Sequence, residues 1–564
     1  MQRGPAPQVM VLNPNSKRET GRKAQLANIR AGKEVADLIR TCLGPRAMLK
    51  MLIDNMGGIL MTNDGHSILR EVDINHPAAR TIIQLSRAQD EEVGDGTTSV
   101  IVLAGEILAV AQPLLERNLH PTIINSAYQR ALTDALEFCK TFARPVDVTN
   151  EAEMYKIIRT TLSTKFAARW MDQMCRMALQ AVLRVAGPQS QCPQAGFAVT
   201  RREIDLKRYA KVEKIPGGEI EQCEVLDGVM FSKDIVHPAM RRRIENPRVV
   251  LLDSAIEYKK AESATNVILS KEEDFATLLK QEEEEIKAMV DHILAVHPDV
   301  VVTEKGLSDL AAHFFVKAGV TAIRRLRKTD NNRIARATGA TIVNRTEELK
   351  DADVGTGCGL FEVKKIGDEY FTYFVHCREP KACSIILRGA SKDVLNEIER
   401  NLQDAMYVAR NVVLEPRLLP GGGATEMAVA TYLGKRAATI QGTSQWPYQA
   451  VAQAFEVIPR TLAENCGVNV IRCITQLRAK HHESSEKGEL VPWGLDGLTG
   501  NIVDMRSQEI WEPMAVKIQT FKSAIESACL LLRIDDIVSG VKKSDKDKSG
   551  PSRNDEDMTN PGDE

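Results

Sequence analysis

The sequence has no excess of charge of either sign and few aromatic residues. Over 564 residues it carries 74 Lys and Arg against 76 Asp and Glu, so its formal net charge is −2. A near-neutral total excludes a polycationic nucleic-acid coat protein and an acidic, mostly disordered chain. Aromatic residues make up only 5%, which favours aliphatic packing between helices over an all-β sandwich. The length predicts three or four domains at about 150 residues each.

Cysteine is present, but not in a pattern that predicts a scaffold. The 11 cysteines include no C-x-x-C spacing, which disfavours a secreted disulfide framework and a structural zinc site. Only Cys377 and Cys383 lie close enough in sequence to suggest a local bridge. For most of the thiols we expect free, buried side chains in a reducing cytosol.

Long apolar runs are missing as well. Residues 1–25 contain several Arg and Pro residues but no sustained apolar core, so we expect no signal peptide. The longest uncharged stretch, residues 437–455, is rich in Gln and contains Pro447, which is unsuited to spanning a bilayer. The sequence therefore predicts a soluble intracellular protein.

Several familiar catalytic signatures are absent from the sequence. It contains no G-x-x-x-x-G-K-[ST] segment, which excludes a P-loop enzyme. The glycine-rich run at residues 355–359 fails the dinucleotide-binding pattern because Leu360 occupies the position of the last glycine. The sequence also lacks H-E-x-x-H, and no His/Cys pair has the spacing of metal ligands.

The spacing of apolar residues predicts helices towards both ends of the chain and an α/β region between them. Residues 24–139 and the segment beyond Gly421 have mainly helical spacing. In the middle, short β-branched runs at residues 249–252, 300–302, 320–323 and 341–343 alternate with helical stretches, which is typical of an α/β domain. Residues 539–564 have almost no apolar content and are predicted to be disordered. The simplest architecture is an α/β domain inserted into a helical one.

The densest motif is Gly94-Asp95-Gly96-Thr97-Thr98-Ser99, which we call the 94–99 loop. It precedes an aliphatic helix, whose N-terminus offers free N–H groups and a positive dipole end that suit phosphate. Its hydroxyls add donors, and Asp95 beside a phosphate makes sense as a Mg²⁺ ligand. An ordinary helix cap with glycine turns explains the same residues equally well.

Three further segments are weaker candidates. Leu43-Gly44-Pro45 could let the backbone approach a nucleotide or could simply end a helix. After a predicted strand at residues 59–62, Asn63-Asp64-Gly65 predicts a tight turn, in which an Asp is usually structural. Residues 420–424, Pro-Gly-Gly-Gly-Ala, open a predicted helix and could either contact a ligand or form a bare turn.

Taken together and in this order, the motifs L-G-P, T-N-D-G, G-D-G-T-T-S and P-G-G-G-A resemble those of group II chaperonins. The resemblance covers residues 12–540 and includes Leu532-Arg533-Ile534-Asp535-Asp536 near its end. Residues 327–336, with Trp493-Gly494 and Trp511-Glu512-Pro513, resemble one paralogue of the eukaryotic cytosolic chaperonin in particular. The resemblance to group II chaperonins implies a multidomain α and α/β fold. Its parts would be a mainly helical equatorial domain built from both chain ends, a small intermediate hinge domain, and an inserted α/β apical domain with a helical protrusion.

The resemblance also implies domain bounds. The equatorial ATPase domain would comprise residues 1–150 and 412–538, and the intermediate domain residues 151–218 and 380–411. Residues 219–379 would form the apical, client-binding domain.

Site residues follow from the resemblance by position. Asp95 would hold Mg²⁺, and the ATP or ADP phosphates would lie on Gly96, Thr97, Thr98 and Ser99. Asp404 would position the attacking water, with Asp64 opposite. Other nucleotide contacts would come from Gly44, Thr164, Lys165, Gly422, Gly497, Glu512 and Lys517. The sequence departs from the family at Leu498, where an acidic residue is common, and in longer segments at residues 187–200 and 481–490.

The implied function is that of an ATP-dependent chaperone subunit. ATP hydrolysis would drive lid closure and the folding of cytosolic clients such as actin and tubulin, with co-chaperones such as prefoldin. Seven paralogous subunits would complete two stacked eight-membered rings. There are two rival functions: a metabolic enzyme that uses a magnesium nucleotide, and a non-catalytic scaffold protein whose nucleotide site is vestigial.

Two basic clusters raise the question of nucleic-acid binding. Arg241-Arg242-Arg243 forms one, and the other contains Arg324, Arg325, Arg327, Lys328, Arg333 and Arg336. No aromatic residues interleave with them and no reader motif is present, so we favour a solvated face or a contact with acidic proteins over nucleic acid.

Overall fold

The computed structural model describes residues 18–53, 58–187, 204–258, 272–487 and 491–538, apart from the side chains of 272–276 and 278. The predicted disordered tail, residues 539–564, lies outside the described residues, as does most of the 187–200 segment. The described part is rich in helix and contains three large hydrophobic cores.

The first core is helical and draws on both ends of the chain. Its central helix, Thr97–Glu116, is apolar over most of its surface, as a helix packed against several others should be. By length and composition this helix could also cross a membrane, but most of it is buried inside the protein. The helices of this core are Arg22–Ile39, Gly65–Glu71, Pro77–Val93, Thr97–Glu116, Pro121–Phe142, Ala424–Ala437, Gln445–Phe455, Val457–Cys466, Val470–Glu486 and Met514–Leu532.

Short antiparallel strands connect distant parts of this first core. Arg18–Thr20 pairs with Asp536–Val538, and a salt bridge of 2.6 Å between Arg18 and Asp536 reinforces the pairing. Lys50–Ile53 pairs with Ile59–Thr62, and Trp493–Leu495 pairs with Ile502–Asp504. The three-stranded sheet has the order Trp511–Pro513, Arg417–Pro420, Arg144–Pro145.

The second core is α/β, as the alternating pattern predicted. Its parallel sheet has the strand order Thr321–Ile323, Val300–Thr303, Val249–Leu252, Ile342–Val343. Its two central strands are buried along their whole length, which explains their continuous apolar runs. The helices are Glu272–Leu294, Asp309–Ala318 and Lys328–Thr338, and an antiparallel sheet has the order Val229–Ser232, Glu369–Val375, Leu360–Ile366, Arg243–Glu245.

The third core lies where the chain passes between the other two. Strand Ala210–Pro216 leads into the α/β region and strand Cys383–Gly389 leads out of it, and the two pair in parallel, with the short strand Glu224–Val225 on the far side of the second. The helices are Glu151–Leu162, Met171–Ala186, Leu206–Tyr209 and Lys392–Leu414. Both connections to the α/β core therefore run through adjacent strands.

Some predictions were wrong in detail. Asn63-Asp64-Gly65 is not a tight turn between strands, because Asp64 caps the Gly65–Glu71 helix. Residues 481–486 are not an expanded loop but the last part of the Val470–Glu486 helix. Cys377 and Cys383, whose spacing had suggested a bridge, are both free and buried, which confirms what we expected for most of the thiols. The thiol beside Cys377 is that of Cys358.

The basic cluster between residues 324 and 336 is only partly a solvated face. Arg333 is 7% exposed and its guanidinium lies 2.7 Å from Asp330. The guanidinium of Arg336 stacks on Tyr209, 4.0 Å from the ring centre. Lys211, from the Ala210–Pro216 strand, lies 3.0 Å from the same Asp330 carboxylate. Two of the six cluster residues, Arg333 and Arg336, thus contribute to the contact between the α/β core and the third core.

Candidate functional site

The 94–99 loop joins two helices of the first core. Gly94 ends the Pro77–Val93 helix at φ +67°, and Gly96 caps the Thr97–Glu116 helix at φ +77°. Both angles are left-handed, a conformation that glycine adopts without the strain other residues incur. Thr97 and Thr98 occupy the first turn of the buried helix, where backbone N–H groups have no partner within the helix. The loop therefore aims donors and a positive dipole end at the space before it.

Asp95 lies between these two glycines and faces that space. Its Oδ1 accepts a 2.7 Å hydrogen bond from the Gly96 N–H. The loop is fixed from behind, because Gln89 Nε2 donates to the Asp95 carbonyl at 3.0 Å and to Thr520 Oγ1 at 3.1 Å. Burial raises the pKa of Asp95, and the nearby charge of Lys165 opposes that shift only in part.

Asp64 meets the 94–99 loop from a neighbouring helix. Its Oδ1 accepts from Thr97 Oγ1 at 2.9 Å, and its Oδ2 accepts from the Ser67 N–H at 2.9 Å. Burial alone would raise the pKa of Asp64, but the Lys165 charge and these hydrogen bonds outweigh it and hold the pKa below the usual value. The Asp64 carboxylate is therefore ionised in this arrangement.

Lys165 brings the third core into the site. Its Nζ lies 2.5 Å from Oδ2 of Asp404, which the Lys392–Leu414 helix supplies. Burial would lower the pKa of Lys165, but Asp404, Asp64 and Asp95 together raise it above the usual value. Burial raises the pKa of Asp404 well above its ordinary range despite the lysine. One cation thus stands among three carboxylates from distant parts of the chain.

At the opposite end of the site, three glycines let the backbone pass close to neighbouring side chains; we call this the glycine cradle. A Cβ at Gly497 would lie 2.3 Å from Pro45 Cγ, and one at Gly44 would lie 2.7 Å from a methyl of Leu462. A Cβ at Gly422 would lie 2.6 Å from Met505 Sδ. A side chain at any of these positions would force a neighbour to shift, and the glycines border a cavity of about 260 Å³. The predicted residues that line it are Gly44, Asp95, Gly96, Thr97, Thr98, Ser99, Thr164, Lys165, Gly422, Gly497, Glu512 and Lys517.

A second buried cation lies at this end. Lys517 Nζ is 2.6 Å from Glu426 Oε1 and 2.7 Å from Glu512 Oε2. Burial would lower the pKa of Lys517, but both carboxylates raise it above its usual value. Burial raises the pKa of Glu512, which Lys517 partly offsets. Sequence reasoning missed Glu426, although it stands three residues after the Pro-Gly-Gly-Gly run.

Asn63 and Asp496 are among the polar residues that line the cavity and that the sequence did not single out, and Leu498 can now be placed at its wall. Asn63 Nδ2 donates to the Thr164 carbonyl at 2.9 Å and joins the two segments. Leu498 is 63% exposed and lies at the cavity wall, where it offers no polar side-chain contact. Its N–H donates to Oδ1 of Asp496, so a carboxylate lines the cavity two residues earlier. The sequence offered no signal for Asp496 beyond its place beside Gly497.

The donors around the cavity fit a magnesium nucleotide. The glycine cradle leaves room for a flat group at one end, and the helix N-terminus with its hydroxyls suits phosphate at the other. No group of three or more His, Cys, Asp or Glu side chains suited to a metal occurs within the described ranges. A cation would therefore depend on Asp95 together with phosphate oxygens and water, which is the coordination Mg²⁺ prefers.

Comparison with known proteins gives a consistent result. The family model described as "TCP-1/cpn60 chaperonin family" matches residues 35–542. The chain is 59% identical over 535 residues to T-complex protein 1 subunit gamma of Schizosaccharomyces pombe, covering 95% of this chain and 99% of that protein. It is 60% identical to the subunit gamma of Thalassiosira weissflogii over 547 residues, 95% and 98% of the two chains. It is 58% identical to the human subunit gamma over 541 residues, which cover 96% of this chain and 97% of that protein. The subunit gamma is the paralogue that residues 327–336 had indicated.

Proposed function

The chain belongs to the TCP-1/cpn60 chaperonin family and is a chaperonin subunit, and from this premise we propose that it binds Mg-ATP in the 260 Å³ cavity and hydrolyses it. The observation that carries the proposal is the convergence on Lys165. Asp64 and Asp95 reach it from the first core and Asp404 reaches it from the third, beside a helix N-terminus that suits phosphate. Phosphoryl transfer needs this combination of positioning and charge stabilisation rather than covalent catalysis.

Each residue has a distinct role in this proposal. The N–H groups of Thr97, Thr98 and Ser99 and the hydroxyls of Thr98 and Ser99 bind phosphate oxygens, with the Gly96 backbone alongside, since the Gly96 N–H and the Thr97 hydroxyl already donate to Asp95 and Asp64. Lys165 stabilises negative charge on the terminal phosphate. Bound Mg²⁺, held by Asp95, would neutralise charge on the phosphate oxygens. Asp404, paired with Lys165, orients the attacking water and accepts its proton. Asp64 stays ionised and fixes Thr97 through a 2.9 Å hydrogen bond.

The division of the site between two cores supports a coupling of hydrolysis to domain movement. Lys165 and Asp404 belong to the third core, whereas the 94–99 loop belongs to the first. A rotation of the third core would separate Asp404 from the phosphates, so turnover is confined to the closed arrangement. We take the three cores to correspond to the equatorial, apical and intermediate domains, with the bounds that the resemblance implied, and lid closure by the apical domain to follow nucleotide turnover.

Exposed apolar side chains support assembly into rings. In the two-stranded ribbon Lys50–Ile53 with Ile59–Thr62, Leu52 packs against the first core, whereas Met51, Ile53 and Ile59 are 66%, 74% and 53% exposed. Such a ribbon has unpaired edges that a neighbouring chain can cover. We propose that seven paralogous subunits join this chain in two stacked eight-membered rings in the cytosol. Its clients would be unfolded proteins of the actin and tubulin class, delivered by co-chaperones such as prefoldin.

Replacing the water-positioning carboxylate tests the catalytic proposal. We expect Asp404→Ala to lower the single-turnover rate by about a hundredfold or more, because it removes general-base assistance, and to leave the affinity for Mg-ATP largely intact. Asp393→Ala, at an exposed position on the same helix, is the matched control. The measurements are ATP hydrolysis with enzyme in excess and nucleotide binding by calorimetry. Loss of affinity with an unchanged rate would contradict the role of Asp404.

A second experiment tests the chaperonin role itself. Native mass spectrometry should find the chain in a large ring complex, and Mg-ATP hydrolysis by that complex should respond to an unfolded client. A monomer whose hydrolysis does not respond to client would eliminate this function.

A further inference from the structure

The Lys392–Leu414 helix does more than carry Asp404, because its last turns bind the helix that leads into the 94–99 loop. Asn411 Nδ2 donates to the Val93 carbonyl at 2.8 Å, and Arg410 Nη2 donates to the Glu92 carbonyl at 2.7 Å. These carbonyls belong to the last turn of the Pro77–Val93 helix. Asn411 is 2% exposed, so its hydrogen bond is shielded from water.

Tyr407 contacts the loop at its first residue. A Cβ built on Gly94 would lie 2.3 Å from Tyr407 Cγ, so the ring is in direct contact with the glycine backbone. The guanidinium of Arg410 stacks on the same ring, 4.6 Å from its centre. The ring is therefore fixed between the loop and an arginine that is itself hydrogen-bonded to Glu92.

The spacing of these residues places them on the same side of one helix. Asp404, Tyr407 and Asn411 are separated by three and four residues, so they form a single stripe. The rise of an α-helix puts Asp404 and Asn411 about 10 Å apart along the axis. One rigid element therefore holds the residues before Asp95 at one end and the carboxylate Asp404 at the other.

We propose that Asn411 and Tyr407 are positioning residues for ATP hydrolysis, which set the register between Asp404 and the 94–99 loop by binding the backbone of Val93 and Gly94. The inference rests on the proposed function, since it presumes that Asp404 acts on a nucleotide bound at that loop. Neither side chain lines the cavity. Their effect is to fix the position of Asp404 relative to the loop in the closed arrangement, and both contacts are lost when the third core rotates away.

The test replaces the amide donor by an isosteric acceptor. Asn411→Asp cannot donate to the Val93 carbonyl, and the matched control Asn396→Asp makes the same chemical change earlier on the same helix, where the side chain meets Lys214. In the full-length chain without nucleotide, we expect Asn411→Asp to accelerate amide hydrogen exchange in residues 93–98. We expect its single-turnover rate to fall about a hundredfold and its Kd for Mg-ADP to rise no more than about fivefold, because misplacement costs rate more than binding. The control should change none of these values.

Two results would overturn the inference. One is that Asn411→Asp has the same amide hydrogen exchange in residues 93–98 and the same single-turnover rate as the wild type. The other is a lower melting temperature with an unchanged rate, which would reduce Asn411 to a stabilising contact. If Asn411→Asp does not fold, Tyr407→Ala, which removes the ring from Gly94, is judged by the same measurements. Asp404→Asn, measured in parallel, separates the two proposals. If Asp404→Asn keeps the wild-type hydrolysis rate, the proposed function fails. If Asp404→Asn is inactive and Asn411→Asp has the wild-type rate, only this inference fails.

Discussion

The buried lysine at the nucleotide cavity allows a sharp prediction about stability. Lys517 is 5% exposed, Glu426 is 1% exposed, and their charged atoms are 2.6 Å apart. Glu512 lies on the other side of the ammonium at 2.7 Å and is 33% exposed. Lys517→Met keeps the length of the side chain but leaves two carboxylates facing each other without a cation. Glu426 has no route to water, whereas Glu512 can turn partly outward.

The magnitude follows from the burial of the pair. Removing one partner of a buried ion pair costs about 3–5 kcal/mol, because the remaining charge is left uncompensated. The cost should depend on pH. Burial raises the pKa of Glu512, and without Lys517 it would rise further. A carboxylate whose folded pKa exceeds its unfolded pKa costs stability at neutral pH, and that cost is relieved as the pH falls and the folded form binds a proton.

Native-state hydrogen exchange measures this effect locally, which suits a chain with several cores. In Lys517→Met without nucleotide, amides of the Ala424–Ala437 and Met514–Leu532 helices should exchange about two to three orders of magnitude faster at pH 7.5, since 1.4 kcal/mol corresponds to tenfold. Lys522→Met, at an exposed position on the same helix, should exchange like the wild type. Equal protection in the two variants, or a difference that does not shrink at pH 5, would refute the reasoning.

Two further predictions concern the shape of the nucleotide cavity and the contact between the α/β core and the third core. Gly497→Ala should weaken nucleotide binding measured by calorimetry, because its Cβ would lie 2.3 Å from a proline ring across the cavity; Gly434→Ala, in a helix with open space around it, should stabilise that helix by up to about 1 kcal/mol and leave binding unchanged. Asp330→Asn should lower the melting temperature measured by calorimetry, because the buried Arg333 loses its partner carboxylate. The loss should stay below the cost of a fully uncompensated buried charge, about 3–5 kcal/mol, since Lys211 keeps Glu213 at 2.5 Å. Asp309→Asn, whose side chain is fully exposed, should melt like the wild type.

The sequence predicted the type of most elements and the loop that begins the site. Parallel strands at residues 249–252 and 300–303 were recognisable because both faces are buried and every residue is apolar. The 94–99 loop was recognisable because its left-handed angles require glycine at Gly94 and Gly96. Asp64 was assigned to the wrong element, because Asn-Asp-Gly is equally typical of a turn and of a helix cap.

What the sequence by itself determined was local: where helices start, where glycine is needed, and which stretches are apolar. Such features depend on neighbours within a few residues, and they leave a periodic or compositional trace. Only the tertiary structure decided that Lys165 meets Asp404, that Glu426 meets Lys517, and that Asn411 meets the carbonyl of Val93. These partners are separated by 239, 91 and 318 residues. A single ion pair or hydrogen bond across such a distance has no periodicity, so nothing in the order of residues predicts it before the three cores have packed.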